Sequence, residues 1–284
     1  MDEQIPIMNH SRKLPYFIII GAMKSGTTSL HHYLDAHPRI SMSKKKEPDF
    51  FLERNWGKGL SWYQRCFKNN DMIKGEASPN YSKFPVFKGV PGRIYETLPG
   101  VKLIYIVRDP IKRLISHMAH RMRDAQVDAA EMEKSLFHER RLMLLVSKYY
   151  YQLEQYLQYF DEEQIFVVTA EKLKENTLTT LGELFQFLEV DASFTHPSYS
   201  TLKHTSEGRK VITWQFTHRL FSDKPYYNLL TKTGLFPTRE ISTPRLSEST
   251  AQQLREEFRE DVSKMESFIG RELNEWTTTK GIQQ

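Results

Sequence analysis

The sequence predicts an α/β fold, a single domain in which helices flank a central parallel sheet. Three observations carry that expectation. Short apolar runs, rich in β-branched residues, recur along the first two thirds of the chain, and helical patterns lie between them. Strands separated by helices imply parallel pairing with helices on both faces. The clearest later run, residues 101–107, is nearly continuous in apolar character, as a strand buried on both faces should be.

In order along the chain, residues 16–20 form the first strand, which stops at Gly21. A short polar turn follows, and Thr27 and Thr28 open a helix to about residue 36. His37-Pro38 ends it, because a residue before proline avoids the α region. Residues 39–42 and 72–75 read as short strands. After the 101–107 strand, Asp109-Pro110 starts a helix through about residue 123, with Asp as N-cap and Pro at the first helical position. Residues 141–160 read as one long helix, 164–168 as a strand and 177–188 as an amphipathic helix. From 191 to 244 the periodicity weakens, which fits a lid or binding loop and equally an extended surface excursion. Residues 245–269 recover helical period, with Ser247 or Ser249 as cap and Gly270 as stop. The expected layout is a tail over 1–14, the domain over 15–276 and a tail over 277–284.

Composition narrows the function classes. With 284 residues the chain can bury a full core. Forty basic against 35 acidic residues leave a net charge of +5, which suits phosphate-bearing ligands and is too weak to indicate nucleic acid. The one cysteine, Cys66, excludes an internal disulfide and a cysteine-rich metal site. His117 and His120 share a helix face but lack a third ligand, so no metal is expected. The N-terminus shows no basic and apolar leader, and no apolar run approaches the roughly 20 residues that span a bilayer. A cytoplasmic protein without membrane insertion is the expectation; oligomeric state is not readable.

The junction of first strand and first helix carries the chemistry. Lys24-Ser25-Gly26-Thr27-Thr28 is a polar turn leading into a helix N-terminus, where free backbone N–H groups and the positive end of the helix dipole converge on one oxyanion. The spacing approaches a Walker A loop but breaks its rule: Thr27 stands where the lysine should follow the second glycine, and Lys24 precedes Gly26. That departure disfavours a P-loop kinase or NTPase, which remains the rival enzyme. A non-catalytic protein binding anionic ligands is the other rival.

This loop resembles the 5′-phosphosulfate loop of sulfotransferases that use 3′-phosphoadenosine 5′-phosphosulfate (PAPS). Three further segments strengthen the resemblance. Val107-Arg108-Asp109-Pro110-Ile111-Lys112-Arg113-Leu114-Ile115-Ser116 is similar to their 3′-phosphate segment. Gly75-Glu76-Ala77-Ser78-Pro79-Asn80-Tyr81 resembles the Glu-x-Ser-Pro-x-Tyr element of the heparan sulfate N- and O-sulfotransferase group. Lys45-Lys46-Glu47-Pro48-Asp49-Phe50-Phe51 is similar to that group's Lys-Glu-x-His-Phe-Phe segment, with Asp49 in place of the histidine.

The resemblance implies a P-loop-like sulfotransferase fold and transfer of a sulfuryl group from PAPS to a hydroxyl or amine of a small-molecule or saccharide acceptor, leaving 3′,5′-ADP, with no metal. It implies Glu76 as general base and Lys24 as the cation assisting the leaving group. Ser25, Gly26, Thr27 and Thr28 would hold the 5′-phosphate, and Arg108 and Ser116 the 3′-phosphate. Lys46 would orient the acceptor or assist the sulfonate, or else belong to a solvated lysine run. Gly208, Arg209 and Lys210 loosely match the basic loop that covers the nucleotide, and read equally as an ordinary basic loop.

Overall fold

The computed structural model describes residues 14–68, 71–125, 129–200, 210–212, 238–240 and 244–276. Five strands form one sheet: β1 (Phe17–Gly21), β2 (Ile40–Met42), β3 (Ile73–Ala77), β4 (Lys102–Val107) and β5 (Ile165–Thr169). Their order is β2-β3-β1-β4-β5, and every adjacent pair is parallel.

Side chains alternate across a strand, so each strand serves two cores. Phe17, Ile19, Ile104 and Ile106 face one helical layer, built from α1 (Thr27–Asp35) and α10 (Thr177–Phe187) through Leu30, Leu34, Leu181 and Phe185. Ile18, Ile20, Leu103 and Tyr105 face the other. That layer contains α3 (Gly59–Arg65), α4 (Val90–Thr97) and α8 (Tyr149–Leu157), through Tyr63, Ile94, Leu153 and Tyr156. A third cluster joins α5 (Pro110–Ala125), α6 (Ala129–Ser135), α7 (Arg141–Leu145) and α11 (Glu248–Ile269), through Leu114, Met132, Leu144 and Phe258. The short helices α2 (Glu53–Trp56) and α9 (Ala170–Glu175) complete the order. Strands β6 (Lys210–Ile212) and β7 (Thr238–Glu240) pair antiparallel.

The expected strands and caps stand close to their predicted places. Asp109 Oδ1 accepts from the N–H groups of Ile111 and Lys112 at 2.9 and 3.0 Å, capping α5. Ser247 caps α11 by accepting from Thr250 N–H, and Gly270 ends it at φ 67°. One expectation is corrected. Residues 141–160 are not one helix but α7 and α8: Lys148 is extended at ψ 95°, and Asp261 of α11 accepts from the first-turn N–H groups of Tyr150 and Tyr151 at 3.1 and 2.8 Å, capping a new helix. Periodicity alone does not reveal that break.

The topology fixes where a ligand can sit. From β1 the chain runs to β2 and β3 on one side, then crosses to β4 on the other. Crevices at such reversals, beyond the carboxyl ends of the strands, are where open α/β sheets bind ligands. Three bonds extend the ladders past the strand ends: Ala22 N–H to Ile106 O, Ser78 N–H to Ile19 O and Ser82 N–H to Ile20 O. They hold the ends of β1, β3 and β4 at one edge.

Candidate active site

The loop from β1 to α1 occupies that edge. Gly26 is the N-cap of α1 at φ 100°, a left-handed conformation that glycine adopts without Cβ strain, and with no side chain it offers the first turn no cap. The first-turn N–H groups of α1 therefore face outward as an anion cradle. Lys24 is half-buried in this loop at φ 72°. Ser25 is 1 % exposed, and its hydroxyl lacks a hydrogen bond of good geometry to any described protein group.

Two of the other expected segments reach the loop. Lys46 Nζ donates to Thr28 Oγ1 at 2.7 Å and also to Glu47 Oε1 at 3.0 Å. A lysine tied to the cradle is not merely one of a solvated run. Arg108, leaving β4, donates from Nη1 to Lys24 O at 3.3 Å. Its Nε is buried without a described hydrogen-bond partner. Ser116 is half-buried on α5, beyond Arg108. Gly208 and Arg209 lie outside the described residues; Lys210 lies in β6, in register with Glu240.

Glu76 is more deeply buried than its expected role favours. It pairs in register with Ile18, whose side chain belongs to the aromatic side of the sheet, and parallel register partners point to the same face. Its carboxyl is 0 % exposed there. Neither oxygen completes a hydrogen bond of good geometry, although the Tyr81 and Tyr63 hydroxyls lie close enough to favour the charged form. Burial outweighs them and pushes its pKa up to about 8, so the carboxyl is mostly protonated at neutral pH. A general base has to touch the acceptor's proton, and this one offers no surface to touch. The burial of Glu76 thus weighs against its expected role as base and favours a carboxylate that the acceptor can reach. The carboxylate tied to the cradle is Glu47, whose side chain is 41 % exposed and bonded to Lys46.

Two site residues escaped the sequence reading. Lys83 Nζ donates to Asn80 Oδ1 at 2.6 Å and lies 3.1 Å from Met23 Sδ. Arg113 is 0 % exposed and donates from Nε to Met23 O at 3.1 Å. Asp49 is buried and accepts from both Asn80 Nδ2 and Arg54. Arg113 stood inside a quoted motif, yet no sequence pattern says that it is buried; Lys83 carried no signal at all.

Among the described residues, the edge thus gathers a backbone anion cradle, the cations Lys24, Lys46 and Arg108 on or against it, Lys83 and Arg113 at Met23, and the accessible carboxylate of Glu47. Buried donors at Ser25 and Arg108 fit a phosphate-bearing ligand. Comparison with known proteins decides the family: residues 14–216 match the sulfotransferase domain model. The chain belongs to the sulfotransferase domain family. It is 39% identical over 117 residues to the membrane-associated sulfotransferase kil1 of Dictyostelium discoideum, covering 39% of this chain and 24% of that protein. It is 29% identical over 203 residues to human heparan sulfate glucosamine 3-O-sulfotransferase 5, covering 66% of this chain and 57% of that protein. The chain thus spans less than two thirds of either relative. The crystal structure of a sulfotransferase from Alicyclobacillus acidocaldarius shares the fold, with a TM-score of 0.69 and 24% identity over 93% of this chain and 98% of that one. Among the described residues no helix is long and apolar enough to cross a membrane.

Proposed function

We propose that this sulfotransferase-family chain transfers a sulfuryl group from PAPS to a hydroxyl or amine of a saccharide or small-molecule acceptor. When bound, PAPS supplies an activated sulfuryl group whose leaving group is the 5′-phosphate of 3′,5′-ADP. The loop N–H groups of residues 26–28 and the Ser25 hydroxyl hold that 5′-phosphate. Arg108, with a forked guanidinium, holds the 3′-phosphate, and Ser116 adds a donor. Lys24 neutralises charge on the departing oxygen. Such a preorganised donor is typically worth about 3–4 kcal/mol. Glu47 takes the acceptor's proton while sulfur bonds to the acceptor oxygen or nitrogen and its bond to the phosphate oxygen breaks. Lys46 bridges base and cradle, holding Glu47 against the loop.

The observation that supports this reading best is the pair of hydrogen bonds Lys46–Thr28 and Arg108–Lys24, which join three separate sequence segments at one anion cradle. Mere anion affinity would not need a carboxylate tied to the same loop. Calorimetry tests it. The chain should bind 3′,5′-ADP in the presence of a chelator; binding of Mg-ATP with no affinity for 3′,5′-ADP would return the chain to nucleotide hydrolysis. Lys24→Ala should lower kcat by about 10²–10³-fold, and near wild-type turnover would remove the leaving-group role.

A further inference from the structure

Beside the cradle lie two cations that the roles above leave unused. Lys83 is half-buried, and its ammonium is fixed by Asn80 Oδ1. Asn80 cannot turn its amide round: Nδ2 donates to both oxygens of Asp49, at 3.2 and 2.9 Å. Asp49 is in turn paired with Arg54. The relay Arg54–Asp49–Asn80 therefore presents a carbonyl oxygen, not a charge, to Lys83. Arg113 stands behind. Its guanidinium meets Met23 O, Met143 O and Ser147 Oγ, all neutral, and its Nη2 has no described hydrogen-bond partner.

Both cations close on one residue, Met23, Lys83 at its sulfur and Arg113 at its carbonyl oxygen. Among the described residues, neither cation is within ion-pair distance of a carboxylate. Burying cations without a paired counter-charge is costly, and the cost shows in Lys83: burial and the Arg113 charge outweigh the Asp49 and Glu47 carboxylates, which act from beyond ion-pair distance, and pull its pKa down to about 8. A fold that holds such a pair next to Lys24 is short of one anion at that place.

We propose that Lys83 is the sulfonate-binding residue of this chain, its ammonium contacting the sulfonate of PAPS while Arg113 adds a fixed positive charge behind it. The inference rests on the proposed function, since it presumes PAPS as the donor. It adds a property which that reading lacks: the chain distinguishes PAPS from 3′,5′-ADP through one side chain. An anion on the acceptor is the other ligand that could meet this ammonium, and the test separates the two.

PAPS and 3′,5′-ADP are titrated separately, without acceptor, into wild type, Lys83→Met, Lys83→Arg and Asn80→Ala, each checked for cooperative thermal unfolding. Wild type should bind PAPS about tenfold more tightly than 3′,5′-ADP, the scale of one charge-assisted hydrogen bond. Lys83→Met should erase that difference while leaving 3′,5′-ADP affinity within about twofold. Lys83→Arg should keep most of it. Asn80→Ala, which leaves the lysine but frees its ammonium, should lose part of the PAPS preference alone. If Lys83→Met weakens both nucleotides equally, the lysine serves the loop and the inference falls. If it changes neither, the ammonium does not serve the donor, and the inference falls again. Failure of wild type to bind 3′,5′-ADP would instead overturn the proposed function, and this inference with it.

Discussion

Two glutamates at this edge show how burial decides a residue's work. Glu47 is partly exposed and bonded to Lys46; Glu76 is sealed among aromatic rings. Glu47→Gln should lower kcat by about 10²–10⁴-fold with 3′,5′-ADP affinity retained, whereas Glu76→Gln should keep turnover. Loss of turnover in the second variant alone would restore Glu76 as base. Glu76 has a different signature, in stability. Its folded pKa is raised to about 8 from 4.5, so between those values the folded state binds more protons than the unfolded state. Stability contributed by the protonated carboxyl is fully present below pH 4.5, falls as pH rises and is lost above about 8. Glu76→Gln lacks this slope. Its unfolding free energy should therefore gain on wild type as pH rises from 5 to 8, by up to ~1.4 kcal/mol per pH unit, read from denaturant midpoints at each pH; a constant offset across that range would contradict a raised pKa. The sequence places both glutamates in recognisable motifs. It does not say which face of β3 carries the second, because that depends on register with β1.

At the scale of elements, legibility follows how local the cause is. β1, β4 and the caps of α5 and α11 were readable because apolar runs, Asp-Pro and Gly signal within a few residues. The break between α7 and α8 was not, since the cap that starts α8 comes from Asp261, 111 residues beyond Tyr150. Gly75 in β3 is another non-local constraint. A Cβ built there would lie 2.1 Å from Phe17 Cζ on the neighbouring strand, and the ring belongs to the packed core under α1. Gly75→Ala should cost about 1–3 kcal/mol, the range for overpacking, measured as a shift in the denaturant midpoint with unchanged slope. No change in midpoint would mean that β1 and β3 can separate more readily than their buried register implies.

For the whole molecule, the sheet order matters more than any one contact. It brings the loop after β1 and the arginine after β4 to adjacent places, although 84 residues separate Lys24 from Arg108. If the cradle and Arg108 grip one doubly phosphorylated nucleotide, the two halves can be weighed separately. Arg108→Ala should reduce 3′,5′-ADP affinity about 100-fold, to that of 5′-AMP, while 5′-AMP affinity stays nearly unchanged. The guanidinium also donates to Lys24 O, so the alanine could loosen the loop itself. Arg108→Lys separates these effects. It keeps the charge and loses the forked pair, so it should recover only part of the 3′,5′-ADP affinity and again leave 5′-AMP alone. Equal losses for both nucleotides in both variants would show that Arg108 braces the cradle and grips no second phosphate. The net charge of +5 gives every such anion a shared, salt-screened attraction. The preference for 3′,5′-ADP over 5′-AMP should therefore persist at high salt, where general attraction fades and only the built site remains.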